Sequence, residues 1–177
     1  MELIMKNINN IFFVALVALC CSCGVDYEVD EYFDLEELPG YVAFKTDGRD
    51  AVLPPYEADE GDLISVGVEV PTGSTEDITV NYALGGDAVF GVDYTVEGAT
   101  ASGGSVTISA NDQDLTQVNL GLITFSMPVD SIVDGDKMLT ITLLDATGAS
   151  GAIPVGRGGK DFLREATVII ADVDGTE

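Results

Sequence analysis

From Tyr41 onward, apolar and polar residues alternate in short runs, each closed by a cluster of Gly, Asp, Asn or Pro. In Leu63-Ile64-Ser65-Val66-Gly67-Val68-Glu69-Val70, the residues Ile64, Val66, Val68 and Val70 share one face of an extended chain, while Ser65, Gly67 and Glu69 take the other. A two-residue period of this kind belongs to a strand with one face in the core, because successive strand side chains point to opposite sides. The pattern recurs at Ile78, Val80, Tyr82 and Leu84, within a strand predicted over Ile78–Leu84, and at Leu139, Ile141 and Leu143, within Lys137–Leu144. Further strands are predicted over Tyr41–Lys45, Tyr94–Glu97, Ser105–Ser109, Thr116–Ser126 and Glu165–Ala171. No stretch carries the 3.6-residue apolar period of a full helix. Seven to eight antiparallel strands without intervening helices predict an all-β fold, a Greek-key, immunoglobulin-like β-sandwich, with a barrel as the competing architecture. Between Asp145 and Arg164, Gly148, Gly151, Gly156, Gly158 and Gly159 predict a long mobile loop.

The beginning of the chain has another character. A short basic start at Met5-Lys6 is followed by nine apolar residues, Ile11 to Leu19, and then by Cys20-Cys21-Ser22-Cys23-Gly24. A membrane-spanning helix needs about 20 apolar residues, so this run reads as a secretory signal peptide over residues 1–22. All three cysteines of the chain fall at its end, which marks a processing site rather than a disulfide framework. The arrangement resembles the lipobox of bacterial lipoproteins. That resemblance implies cleavage after Ser22 and acylation of Cys23, with Cys21 as the alternative. Residues 23–40 are acidic and aperiodic and read as a tether, leaving 41–177 as a single domain. An acidic run soon after the lipidated cysteine also resembles the surface-export signal of Bacteroidetes lipoproteins. It implies an outer-membrane location, held by the lipid anchor and facing the cell surface.

Charge narrows the choice of partners. Thirty-one acidic residues against seven basic ones give a net charge of -24, a surface that repels phosphate backbones and attracts cations. Nucleic acid is therefore not an expected partner. The chain has no histidine, so Ser-His-Asp and Cys-His nucleophiles and imidazole zinc sites are excluded. Near Lys160 a phosphate-binding loop would need Gly and Ser or Thr where Pro154 and Asp161 stand. Tryptophan, the strongest stacking platform for a sugar ring, is absent as well. No enzymatic activity is expected.

Four short motifs then stand in order: Glu60-Gly61-Asp62, Gly91-Val92-Asp93-Tyr94, the acidic stretch from Asp130 to Asp136, and Val168-Ile169-Ile170-Ala171-Asp172-Val173-Asp174. With the strand spacing, they resemble the Calx-beta domain over Tyr41 to Gly175. In calcium-binding members of that family, acids gather at one end of the sandwich. The resemblance implies Glu60, Asp93, Asp130, Asp134, Asp172 and Asp174 as Ca2+ ligands, a donor set that suits a hard cation. The same acids also suit strand-ending turns, where Asp is common for its own reasons. The expected function is an envelope-anchored, non-catalytic interaction or spacer module that binds calcium and meets a cell-surface protein. The alternative is a glycan-binding accessory lipoprotein of a polysaccharide-uptake system.

Overall fold

Burial follows the alternation read from the sequence. The computed structural model describes residues 40–46, 52–111 and 118–174, all within one compact unit, Pro39–Glu177. The expected signal peptide, the lipidation at Cys23 and the tether up to residue 39 lie outside the described residues, as do Thr116 and Gln117. Ten strands form: β1 (Ala43–Phe44), β2 (Tyr56–Asp59), β3 (Leu63–Val70), β4 (Ile78–Gly86), β5 (Thr95–Val96), β6 (Gly103–Ile108), β7 (Asn119–Ser126), β8 (Lys137–Gly148), β9 (Gly151–Ile153) and β10 (Glu165–Ala171). One sheet has the order β1-β3-β7-β5; the other has the order β2-β10-β8-β4-β6, with β9 added to the edge of β8 beyond β10.

The two sheets close on one another through the predicted faces. Val66, Val68 and Val70 of β3 and Ile123 and Phe125 of β7 pack against Val80 and Tyr82 of β4, Leu139, Ile141 and Leu143 of β8, and Val168 and Ile170 of β10, all nearly inaccessible to solvent. The structure is an immunoglobulin-like sandwich, not a barrel. At Gly121 on β7 the two layers approach closely, since an added Cβ would lie 3.1 Å from atoms of Val106, Thr107 and Ile108 on β6.

Several expectations change. The described residues form ten strands, not seven or eight, because β2 and β9 carry too weak an alternation to read. Not every pairing is antiparallel: β2 runs parallel to β10, with Val168 opposite Tyr56 and Ala171 opposite Asp59. The segment Asp145–Arg164 is not one loop. It completes β8, turns tightly at Ala149-Ser150 into β9 and continues through a one-turn 3-10 helix at Arg157–Gly159. Strand β8 outlasts its predicted end at Leu144 because of a bulge there. Asn81 pairs with Asp145 and Tyr82 with Leu143, so Leu144 is the extra residue. The buried phase then shifts from Leu143 to Ala146, as one inserted residue requires.

Asn119, a buried polar residue at the start of β7, ties three segments together. Its Oδ1 accepts from the Ser74 N–H at 3.1 Å, and its Nδ2 donates to the carbonyls of Ser74 at 3.0 Å and Ser109 at 2.7 Å. Replacing it with Ala strands those backbone groups away from water, which costs about 1–3 kcal/mol. Asn119→Ala is therefore expected to lower the urea midpoint without changing the slope of the unfolding transition; an unaltered midpoint would contradict this role.

Candidate metal centre

Parallel pairing makes β2 and β10 end at the same pole. Glu60 follows β2 directly and its N–H donates to the Ala171 carbonyl at 3.2 Å, while Asp172 and Asp174 follow β10. Strand β7 arrives beside them. The Gly61 N–H donates to the Met127 carbonyl at 2.8 Å, and the Met127 N–H donates to the Asp62 carbonyl at 2.9 Å, which fixes the entry to the loop carrying Asp130. Gly61 adopts φ +92°, open to glycine but strained for other residues, and a Cβ there would press on Val129 Cγ2 at 3.0 Å. The tight Glu60-Gly61-Asp62 turn is thus what lets the β7–β8 loop fold down over β2.

The carboxylates of Glu60, Asp130 and Asp174 meet here, each offering an oxygen within 4.8 Å of the others. Calcium–oxygen bonds of about 2.3–2.6 Å allow oxygens on one ion to stand up to roughly 5 Å apart, so the trio fits one such ion. Glu60 Oε2 is closed off from solvent and has no hydrogen-bond partner. An ionised carboxylate oxygen in that position lacks a positive counterpart, which a hard cation would supply. Desolvation raises the Glu60 pKa, and the charges of Asp130, Asp174, Asp172 and Asp134 raise it further.

Asp172 is in the same field but is used differently. Its Oδ2 accepts from the N–H groups of Asp134 at 2.9 Å and Gly135 at 2.8 Å, and its Oδ1 accepts from Asp174 at 2.8 Å. Those backbone donors, with Lys137 nearby, hold its pKa below the ordinary value. The Asp134 carboxylate lies 3.1 Å from Lys137 Nζ, and that contact raises the lysine's pKa. Asp93 sits outside the trio: its carboxylate accepts from the Val89 N–H and closes the turn that precedes buried Tyr94. Of the six residues expected as ligands, then, three converge, Asp134 and Asp172 border them in structural contacts, and Asp93 caps a turn of its own. Asp136, not among the six, accepts from the Asp172 N–H at 3.3 Å; its place in the acidic stretch was the only sequence sign of this role.

No protein-family model and no curated protein matches this chain. Among solved structures, the Calx CBD2 domain matches with a TM-score of 0.51 at 14% identity, covering 76% of this chain and 88% of that domain. The likeness shows the fold: the chain adopts a Calx-beta-like, immunoglobulin-like sandwich. The SafA pilin of Salmonella enterica, in complex with the SafB chaperone, matches at TM-score 0.40 and 12% identity, over 70% of this chain and 53% of that one. A non-cellulosomal cohesin from Archaeoglobus fulgidus matches at TM-score 0.30 and 13% identity, over 76% and 90%.

The opposite shifts of Glu60 and Asp172 give opposite signs with pH. Because the Glu60 pKa is raised on folding, its favourable contribution exists while it is protonated and is lost as pH rises from the ordinary carboxylate range through its folded value. Asp172, with a lowered pKa, stabilises above the ordinary value and loses that contribution as pH falls through its folded value. In chelator at neutral pH, Glu60→Gln is expected to raise Tm and Asp172→Asn to lower it, and both differences should shrink on acidification. Melting curves across pH check this; a Glu60→Gln chain that melts lower than the parent at neutral pH in chelator would contradict it.

Proposed function

We propose that this chain is an envelope-anchored lipoprotein whose sandwich serves as a non-catalytic interaction or spacer module, with one Ca2+ held by Glu60, Asp130 and Asp174. The observation that carries the calcium reading is the solvent-closed, unpartnered Oε2 of Glu60 facing two further carboxylates. With one oxygen from each carboxylate, three positions of a six- to eight-coordinate ion are filled, and second carboxylate oxygens, water and backbone carbonyls complete the sphere. The ion would cancel the mutual repulsion of the three strand-end segments and lock them together. Calcium therefore acts as a clamp on the pole. The non-catalytic reading is supported by the lack of histidine and by the structural use of the neighbouring acids.

The anchor reading is supported by the leader and by Cys23. The acidic run after Cys23 supports an outer-membrane location with the domain toward the cell surface. A second reading, a glycan-binding accessory lipoprotein, would rest on the glycine-bearing segment after β9, which holds a 3-10 turn at Arg157–Gly159.

An ion bound only by the folded state adds RT ln(1 + [L]/Kd), about 2.7 kcal/mol at a hundredfold excess over Kd, or several degrees in Tm. Calcium is expected to raise Tm by that order relative to chelator in the parent and in Asp93→Asn, and to have no effect on Glu60→Gln or Asp174→Asn. A parent midpoint indifferent to calcium would remove the ion. Separately, cells fed radiolabelled palmitate are expected to label the parent chain but not Cys23→Ser; label retained on Cys23→Ser would move or abolish the anchor.

A further inference from the structure

The β7–β8 segment, Met127 to Asp136, is tied down along its length yet turns large apolar side chains outward. Met127 is buried and bonded to the Glu60-Gly61-Asp62 turn, the Ile132 N–H donates to Asp130 Oδ1 at 2.7 Å, and the Asp134 and Gly135 N–H groups donate to Asp172. Between these ties Val129 is 62% exposed, Ile132 60% and Val133 69%. Three β-branched side chains within five positions are held toward water by a loop fixed at both ends, and most of their surface contributes nothing to the core. Exposed apolar groups with a polar rim mark contact surfaces.

We infer that this loop tip docks a partner protein through an apolar patch edged with Lys or Arg. Charge and position select that occupant. The segments around the tip, 59–63, 127–137 and 171–174, carry acids throughout and Lys137 as their only basic residue, so an acidic surface such as a second copy of this pole or an anionic bilayer is repelled. The described chain enters at the opposite end. Gly40 packs on Thr72, beyond the end of β3, whereas Leu63 at the start of β3 borders the acidic pole, and eight strand residues separate the two ends by about 25 Å. Within the domain, the tip and Gly40 therefore lie at opposite ends. The inference stands on the apolar tip and its rim and does not depend on calcium.

The test uses the full chain in chelator at physiological salt and two fluorescent peptides of equal charge, one of lysine alone and one alternating lysine with leucine. Anisotropy titrations are expected to show the mixed peptide binding about tenfold more tightly, since only it buries apolar area. Ile132→Ser/Val133→Ser should bring the two affinities together without lowering Tm, because neither side chain is buried. Leu120→Ser/Leu122→Ser, on the outer face of the β1-β3-β7-β5 sheet, should leave the preference intact. Equal affinities in the parent, a preference that survives the loop variant, or stronger binding to phosphatidylglycerol vesicles than to the mixed peptide would each overturn the inference.

Discussion

The pole of this domain depends on one backbone interaction, the parallel pairing of β2 with β10. Four residues in register from Tyr56 opposite Val168 to Asp59 opposite Ala171 bring both strands to an end at the same level. Were β2 antiparallel, Glu60 would emerge at the other end of the sandwich, a full strand length from Asp174. Little side-chain burial supports β2, since only Ala58 of its four residues is in the core. Its position comes from ladder hydrogen bonds and from the ties that Gly61 and Asp62 make to Met127. A weak strand thus sets the geometry of the most charged part of the molecule, and a cation bridging Glu60 to Asp130 and Asp174 would add support where the core supplies least.

Acids at this pole do two kinds of work, separated by what the backbone offers each of them. Asp172 collects three N–H donors, Asp62 accepts from Asp59 at 3.0 Å, and Asp93 closes its own turn. Hydrogen bonds of this kind fix loop conformation without any ion. Glu60 has a longer side chain that reaches past the backbone, so its Oε2 finds only other carboxylates. The contrast between neighbours has separate local causes: desolvation and the surrounding carboxylates raise the Glu60 pKa, while backbone donors lower that of Asp172.

What the sequence disclosed follows the same division between local and distant causes. Residues such as Val66, Val80, Ile141 and Val168 announced their strands because their own spacing decides which side faces the core. Strand β2 did not, because Tyr56-Glu57-Ala58-Asp59 acquires its strand character from β10, more than a hundred residues later. The bulge at Leu144 was hidden too, since an extra residue shows only against a partner, here β4. At the pole, the short motifs found the right acids but could not rank them. The difference between Glu60 and Asp93 is a matter of which N–H each carboxylate meets, and that is fixed by tertiary contacts.

Asp130 and the exposed apolar side chains belong to one loop, so cation binding and docking are linked at this pole. The ties at Asp130 and Asp172 that hold Val129, Ile132 and Val133 outward are made by residues that would ligate or border the ion. A bound cation would stiffen that presentation and so lower the ordering cost of docking. The same ion would weaken the negative field that draws a basic-edged partner. These effects oppose each other and differ in range: stiffening acts through contacts in the loop, whereas the field is screened within about 8–10 Å at physiological salt. With one ion at the trio and acids spread over all three segments, most of the field survives neutralisation there, and the mechanical effect on the loop carries the greater weight.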